Sequence, residues 1–417
     1  MIKDFNYFDT LLPQAIGSKI AAIAPVVTSS AAFGYQDAYE AEAIFDGKIQ
    51  KPFYARMGNP TNAKLESVMA KIDGGFGAIA TSSGMGAISM VLTALLKAGD
   101  RVLCVGGFFG GTYALMSETL PRFEIEPIFC DADDYESMQK ELDRGVSVVL
   151  CESVGNPNLK LPDLKKISGL CEEFRTLFVV DNTATPLVVR PLELGADVAI
   201  YSTTKNISGH SASLGGIAVF SEVNKKCKLH APKYDHLHKI VQKSGKAAFI
   251  AICKKRALRD FGMSANAFGS FLTLLGLETL SIRMKRIFEN VEYIVSALEN
   301  ELPKGVVRHP SLLSHEHHTR YKRLYPLGCG SLFTLRLKDK QEAFDFLNNS
   351  KLLTQTANIG DNRTLALHMK STIYRDFDEK SLKILGITDG LIRFSSGIEN
   401  PQNIVDDILD AFSAVGK

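Results

Sequence analysis

At 417 residues the chain is too long for one small domain and has room for two or three. With 45% hydrophobic and 23% charged residues it has the composition of a globular protein with a large core. A formal net charge of +2 gives no support to nucleic acid or an anionic membrane as partner, and no apolar run approaches the roughly 18 residues that suggest a span. The opening Met1-Ile2-Lys3-Asp4 carries an acid early and does not read as a secretory signal. Seven cysteines are scattered without a CxxC pair, several inside apolar runs such as Val102-Leu103-Cys104-Val105. That usage fits free thiols in a reducing compartment, and a cytoplasmic protein is expected.

Residues 1–60 mix Gly, Pro and polar residues with little periodicity and read as an extended arm. From Thr61 to about residue 264, short apolar runs alternate with helix-like stretches. The runs include Arg101-Val102-Leu103-Cys104-Val105, Val146 to Leu150, Leu177-Phe178-Val179-Val180 and Asp197 to Tyr201; helical patterns lie at Gly86 to Lys97 and Leu164 to Glu173. This alternation predicts an α/β domain with a mainly parallel sheet and helices on both faces. From residue 265 to 417 a long helical stretch (Asn266 to about Asn300), a strand at Gly330 to Leu337 and a closing helix near Ile404 to Ala414 predict a smaller α/β domain.

Parallel sheets bind ligands at the carboxyl ends of their strands, and four such ends carry polar residues. Gly77-Ala78-Ile79-Ala80 leads through Thr81-Ser82-Ser83 into Gly84-Met85-Gly86 and a helix, whose free N–H groups suit a phosphate or serve only as a capped turn. The strand Phe178-Val179-Val180 delivers Asp181, able to bind a ribose, a metal or a protonated pyridine nitrogen, or simply to cap the next element. Asp197 to Tyr201 runs into Ser202-Thr203-Thr204-Lys205. A lysine there is either a solvated residue after an edge strand or a Schiff-base lysine, with two hydroxyls placed for a phosphate. Gly390-Leu391-Ile392-Arg393-Phe394-Ser395 is a strand with one arginine in its middle, either a surface residue or a clamp for a carboxylate.

In this order and spacing the residues resemble the cystathionine γ-synthase and methionine γ-lyase family of pyridoxal 5'-phosphate (PLP) enzymes. The resemblance runs from Pro25 to Glu399 and includes Tyr54-Ala55-Arg56-Met57-Gly58-Asn59-Pro60, Glu152-Ser153-Val154-Gly155-Asn156-Pro157, Asp181-Asn182-Thr183 and Ser202-Thr203-Thr204-Lys205. It implies the fold-type I transferase architecture. It also implies that Lys205 carries the cofactor and shuttles protons between the substrate's Cα and Cγ, with Asp181 on the pyridine nitrogen. Gly84, Met85, Ser202 and Thr204 would bind the phosphate, Asn156 the cofactor's hydroxyl side, and Arg393 the substrate carboxylate, with Asn358 and Tyr54 also on the substrate side. Tyr54 and Arg56 would reach the phosphate of a neighbouring subunit, implying a homo-oligomer, usually a tetramer. The partners implied are a small amino-acid substrate and a sulfur donor.

The chain departs from the family in places. Phe109 stands where a ring-stacking tyrosine is usual; it can stack but cannot transfer a proton, and this favours a substrate with a good leaving group. Tyr113, four residues on, is expected to face elsewhere. Gly111 replaces the cysteine typical of methionine γ-lyases, while Ala257 to Gly262 and Ala357-Asn358-Ile359-Gly360-Asp361 look most like O-acetylhomoserine sulfhydrylases. The usual His-Pro-Ala-Ser-Thr segment is His368-Met369-Lys370-Ser371-Thr372. The activity implied is γ-replacement on an O-acylhomoserine, with a γ- or β-lyase or a cystathionine γ-synthase as alternatives. His315, His317 and His318 read as a surface loop rather than a metal site, and Lys225-Lys226-Cys227-Lys228 as a solvated basic face.

Overall fold

The computed structural model describes residues 4–16 and 22–415. Seven strands form the first sheet: β1 (Gly77–Thr81), β2 (Arg101–Val105), β3 (Glu126–Cys130), β4 (Val148–Glu152), β5 (Leu177–Asp181), β6 (Val198–Tyr201) and β7 (Gly216–Phe220). Their order is β1-β7-β6-β5-β4-β2-β3, and only β7 runs against its neighbours. The carboxyl ends of the other six therefore share one edge.

The unbroken apolar strands follow from burial on both faces. In β4, Val148 and Leu150 face one core while Val149 and Cys151 face the other; β5 repeats this with Leu177 and Val179 against Phe178 and Val180. The period of two sorts the side chains, and helices cover each layer. Helix Gly84–Leu95 lies in the first core and helices Tyr135–Asp143 and Leu164–Glu173 in the other.

The second sheet comprises β8 (Val307–Arg308), β9 (Leu332–Leu337), β10 (Thr354–Gln355), β11 (Leu365–His368) and β12 (Gly390–Ser395), in the order β10-β11-β12-β9-β8. A third core joins the sheets: Ala199 and Tyr201 of β6 share it with Phe333 and Phe394, through the helices Ala267–Glu278 and Leu280–Glu301. The long helical stretch is thus two helices, broken at Thr279.

The arm is not simply extended. Phe5–Ile16 is a helix that buries Phe8, Leu12 and Ile16, and Ala38–Phe45 is a second helix. The apolar residues of the first recur every four positions, a helical period the surrounding polar residues obscure. Two other expectations fail for the same reason, burial by distant chain. His315 and His317 are buried rather than on a surface loop, and Lys228 is buried in an ion pair with Asp197 at 2.9 Å. Among the described residues no group of three or more His, Cys, Asp or Glu could hold a metal ion. No cysteine is in a disulfide, and no helix among them is long and apolar enough to cross a membrane.

Candidate active site

The carboxyl edge of the first sheet and Arg393 of β12 enclose one cleft, lined by residues of both sheets. Lys205 lies in the turn after β6, an interior strand, so it is not the solvated lysine of an edge. Its turn is fixed by Ser202 N–H donating to Thr183 Oγ1 at 2.8 Å and by Gly209 N–H donating to the Lys205 carbonyl at 2.8 Å. Lys205 Nζ donates to Asn358 Oδ1 at 2.6 Å. Burial, helped by the charge of Arg393, lowers its pKa from 10.5 to about 8.

Across the cleft floor, β4 and β5 end in register on two carboxylates, Glu152 and Asp181. Asp181 Oδ1 accepts from Thr183 N–H at 3.0 Å and from its hydroxyl at 2.6 Å. Burial pushes its carboxyl up, against these two bonds. Glu152 is raised further, by burial and then by the neighbouring charge of Asp181. Its oxygens accept from Phe109 N–H at 2.6 Å and Asn156 N–H at 3.3 Å, so it ties the two loops flanking the cleft. No sequence signal assigned Glu152 this place, although an acid closing an apolar strand is visible at that position.

Arg393 sits mid-strand in β12 and is only 2% exposed, which excludes a surface role. Nη1 donates to Asn156 Oδ1 at 3.2 Å and Nη2 to the Asn358 carbonyl at 3.1 Å, while the buried Nε has no partner. A buried guanidinium with a spare donor and no carboxylate beside it is arranged for an incoming anion. Tyr374, which sequence reasoning overlooked, donates its hydroxyl to the Asn156 carbonyl at 3.2 Å and braces the same loop.

Helix Gly84–Leu95 points its N-terminus at the cleft. A Cβ on Gly84 would lie 2.6 Å from Ser202 Cβ, so only glycine lets the helix end approach Ser202. The Thr204 hydroxyl is engaged with Gly215, donating to its carbonyl at 3.1 Å and accepting from its N–H at 3.0 Å; it holds the turn. Phe109 lines the cleft, whereas Tyr113 faces away, its hydroxyl 2.8 Å from Ser381 Oγ.

Of the residues singled out in the sequence, Gly84, Met85, Phe109, Asn156, Asp181, Ser202, Thr204, Lys205 and Arg393 all line this cleft. Asn358 reaches it through Lys205. Tyr54 and Arg56 do not line it; the Arg56 guanidinium lies 5.5 Å from the Tyr54 ring centroid and donates to the Arg259 carbonyl. Residues 368–372 do not line it either: Met369 is buried in the core and Lys370 pairs with Asp389 at 2.7 Å.

Comparison with known proteins agrees with this geometry. Residues 13–413 match the family model described as Cys/Met metabolism PLP-dependent enzyme. The chain belongs to this family. Similar relatives include the homocysteine synthase of Schizosaccharomyces pombe, 34% identical over 97% of this chain and 98% of that protein, and an L-methionine gamma-lyase of Fusobacterium nucleatum subsp. polymorphum, 35% identical over 85% and 84%. A candidate O-acetylhomoserine (thiol)-lyase of Campylobacter jejuni, whose crystal structure contains N'-pyridoxyl-lysine-5'-monophosphate, superposes with a TM-score of 0.88. It is 28% identical, with 97% of this chain and 99% of that one covered.

The residues of this Cys/Met-metabolism enzyme fit PLP. Lys205 has the lowered pKa that a carbonyl-binding lysine needs. Asp181 offers a negative charge to a pyridinium, and the close approach of Gly84 to Ser202 leaves helix N–H groups and a hydroxyl for a phosphate.

Proposed function

We propose that the enzyme replaces the γ-acyloxy group of an O-acylhomoserine, O-acetylhomoserine before others, with a sulfur nucleophile, giving homocysteine. The observation that carries this reading is the convergence of Lys205, its pKa lowered to about 8, and the buried Arg393 on one cleft, both hydrogen-bonded to Asn358. The relationship to the S. pombe homocysteine synthase supports it.

Bound at Lys205, PLP supplies an electron sink for negative charge developing on the substrate carbons. Arg393 holds the substrate α-carboxylate, and Asn156 holds Arg393. Lys205 Nζ takes the Cα proton and serves the γ side of the same substrate. Asp181 keeps the cofactor ring protonated through its own charge, while Glu152 fixes the backbone of Phe109 against the cleft. The Cγ–O bond breaks with its electron pair on the acetate, and a Cγ–S bond forms, giving homocysteine from sulfide or the corresponding thioether from a thiol. Phe109 has no hydroxyl to protonate a leaving group, so a carboxylate, which departs without an acid, suits this site better than a thiolate.

Oligomerisation belongs to the same proposal. Tyr54 and Arg56 stand outside their own cleft, and the segment from Ile23 to Tyr54 exposes Ile23, Val26, Tyr39 and Phe45. We assign Tyr54 and Arg56 of the arm, residues 1–60, to the active site of a neighbouring subunit, with residues 61–264 and 265–417 as large and small domains. The buried, unpaired cysteines favour the cytoplasm.

The test is a product assay on the PLP-loaded protein with O-acetylhomoserine, with and without sulfide. Homocysteine formed only with sulfide is the expected result; 2-oxobutyrate and ammonia regardless of sulfide would make the enzyme a lyase instead.

A further inference from the structure

Lys205 is the start of a hydrogen-bonded chain that leads away from the cleft. Its Nζ donates to Asn358 Oδ1 at 2.6 Å, Asn358 Nδ2 donates to Ser211 Oγ at 2.9 Å, and Ser211 Oγ donates to Asp361 Oδ2. Asp361 is 1% exposed and paired with Arg363 at 2.7 Å. Burial alone would raise its pKa, but the bonds from Arg363 and Ser211 outweigh it and hold the carboxyl below its usual value.

The direction of this chain is fixed by its far end. An ionised carboxylate only accepts, so the Ser211 hydroxyl spends its single hydrogen on Asp361. Toward Asn358 the hydroxyl can then only accept, and it therefore faces the amide NH2. The amide oxygen is left pointing at Lys205, which must donate.

Ser211 sits at φ 53, the left-handed region that favours glycine. The segment just before it is held in place. Asn362 N–H donates to the Gly209 carbonyl at 3.0 Å, and Arg283 donates to the carbonyls of Asn206 at 2.7 Å and Ile207 at 3.2 Å. A serine kept in a disfavoured conformation, with its hydroxyl saturated on both sides, is a side chain the surrounding structure over-determines.

We propose that Ser211 is a positioning residue for Lys205, fixing the Asn358 carboxamide so that its oxygen faces the lysine nitrogen. A neutral Lys205 amine that gives one N–H to Asn358 has its lone pair turned away from that carboxamide, toward the substrate side of the cleft. Without Ser211 the carboxamide is free to turn, and its NH2 then competes for the same lone pair. The consequence for turnover rests on the γ-replacement reading; the orientation of Lys205 does not.

The test uses Ser211→Ala and Ser211→Gly. Glycine relieves the positive φ, so that variant folds at least as well as the parent, and both lack the hydroxyl. In cofactor-free protein, the pH dependence of Lys205 acetylation by acetic anhydride, read by mass spectrometry, gives the lysine's own ionisation. The other titratable groups lining its cleft, Glu152 from β4, Asp181 from β5 and Arg393 from β12, are unchanged in both variants. Loss of a charge-assisted hydrogen bond should lower the midpoint by about one pH unit in both. In the PLP-loaded enzyme kcat for homocysteine formation should fall about tenfold with KM for O-acetylhomoserine changed much less, the pattern of a misoriented catalytic group. Unchanged midpoints in both variants would overturn the proposal. So would a wild-type midpoint in Ser211→Gly alone, because the effect would then belong to the backbone. If the parent protein makes no homocysteine the reaction reading fails, and the acetylation midpoints still decide the role of Ser211.

Discussion

The Lys205 ammonium is uncomfortable in the folded cofactor-free protein. Its pKa falls from 10.5 to about 8 through burial and the charge of Arg393, so between those values the unfolded chain binds a proton that the folded chain does not. Stability therefore rises as pH increases through that window, and at neutral pH the penalty is present in full. Replacing the lysine removes it: cofactor-free Lys205→Met should be more stable than the parent by about 2 kcal/mol at pH 7, after allowance for partial exposure, and should hold no PLP. Urea titrations at pH 7 and pH 10 check this, because the advantage must shrink at the higher pH. A gain that does not shrink would point to packing rather than ionisation. Phe109 is the second residue whose identity carries chemistry. Its backbone is tied to Glu152 at 2.6 Å and its ring lines the cleft, so Phe109→Tyr adds a hydroxyl with little change in position. General-acid help is worth about a hundredfold or more when well placed. Elimination from a substrate with a thiolate leaving group, such as cystathionine, should rise about tenfold in this variant, followed as 2-oxobutyrate. No rise would mean that another residue already supplies the proton.

At the level of elements, the site is assembled where β1, β4, β5 and β6 end together, with the helix after β1 aimed into the cleft. Gly84→Ala places a methyl group 2.6 Å from Ser202 Cβ and 3.0 Å from its Cα, and Ser202 is too short to move aside. The helix end must retreat, which should weaken PLP binding at least about tenfold and cost about 1–3 kcal/mol of stability. Spectrophotometric titration with PLP and denaturant unfolding read the two effects separately; full cofactor affinity would show that the helix N-terminus does not hold the phosphate. These strand ends were legible in the sequence because each is an apolar run closed by polar residues, and the helix Leu164–Glu173 matches its periodicity to the residue. What was not legible arose from contacts across long stretches of chain. Glu152 gains its role only because Phe109 and Asn156 fold back onto it, and Tyr374 only because Asn156 lies beside it. Met369, in the segment that departs from the family's usual sequence, is buried by the core that closes over it. Lys228 read as surface charge because its partner Asp197 is 31 residues away. Local pattern reports burial on a strand well, but it says nothing about which distant side chain arrives next to it.

At the scale of the whole molecule, one core shared by the two sheets brings Arg393 and Lys205 to the same cleft. The helix His318–Leu324 and its flanks add a polar clamp between them. His317 Nε2 lies 2.7 Å from Asp133 Oδ2, Arg320 bonds Asp133 at 2.6 Å, and the Tyr325 hydroxyl donates to the Ser153 carbonyl at 2.7 Å. The clamp grips the segment after β4 that carries Asn156, the residue that accepts from Arg393. The proposed phosphate site has no free cation of its own among the described residues. Among the described residues Lys205 and Arg393 are the only lysine and arginine lining the cleft and both are committed, while Arg56 lies outside it. A site completed by a neighbour's Arg56 makes a sharp demand on mixed oligomers. Lys205→Ala and Arg56→Ala chains, each nearly inactive alone, should recover activity when unfolded together and refolded as a mixture. In a mixed pair one site carries both substitutions and the other neither, so a random mixture of equal parts restores roughly a quarter of the parental sites, the fraction fixed by symmetric pairing. Recovery to about that level in a sulfide-dependent homocysteine assay would assign Arg56 to the adjoining subunit. Recovery of nothing, with oligomers intact by light scattering, would place Arg56 within its own chain's site.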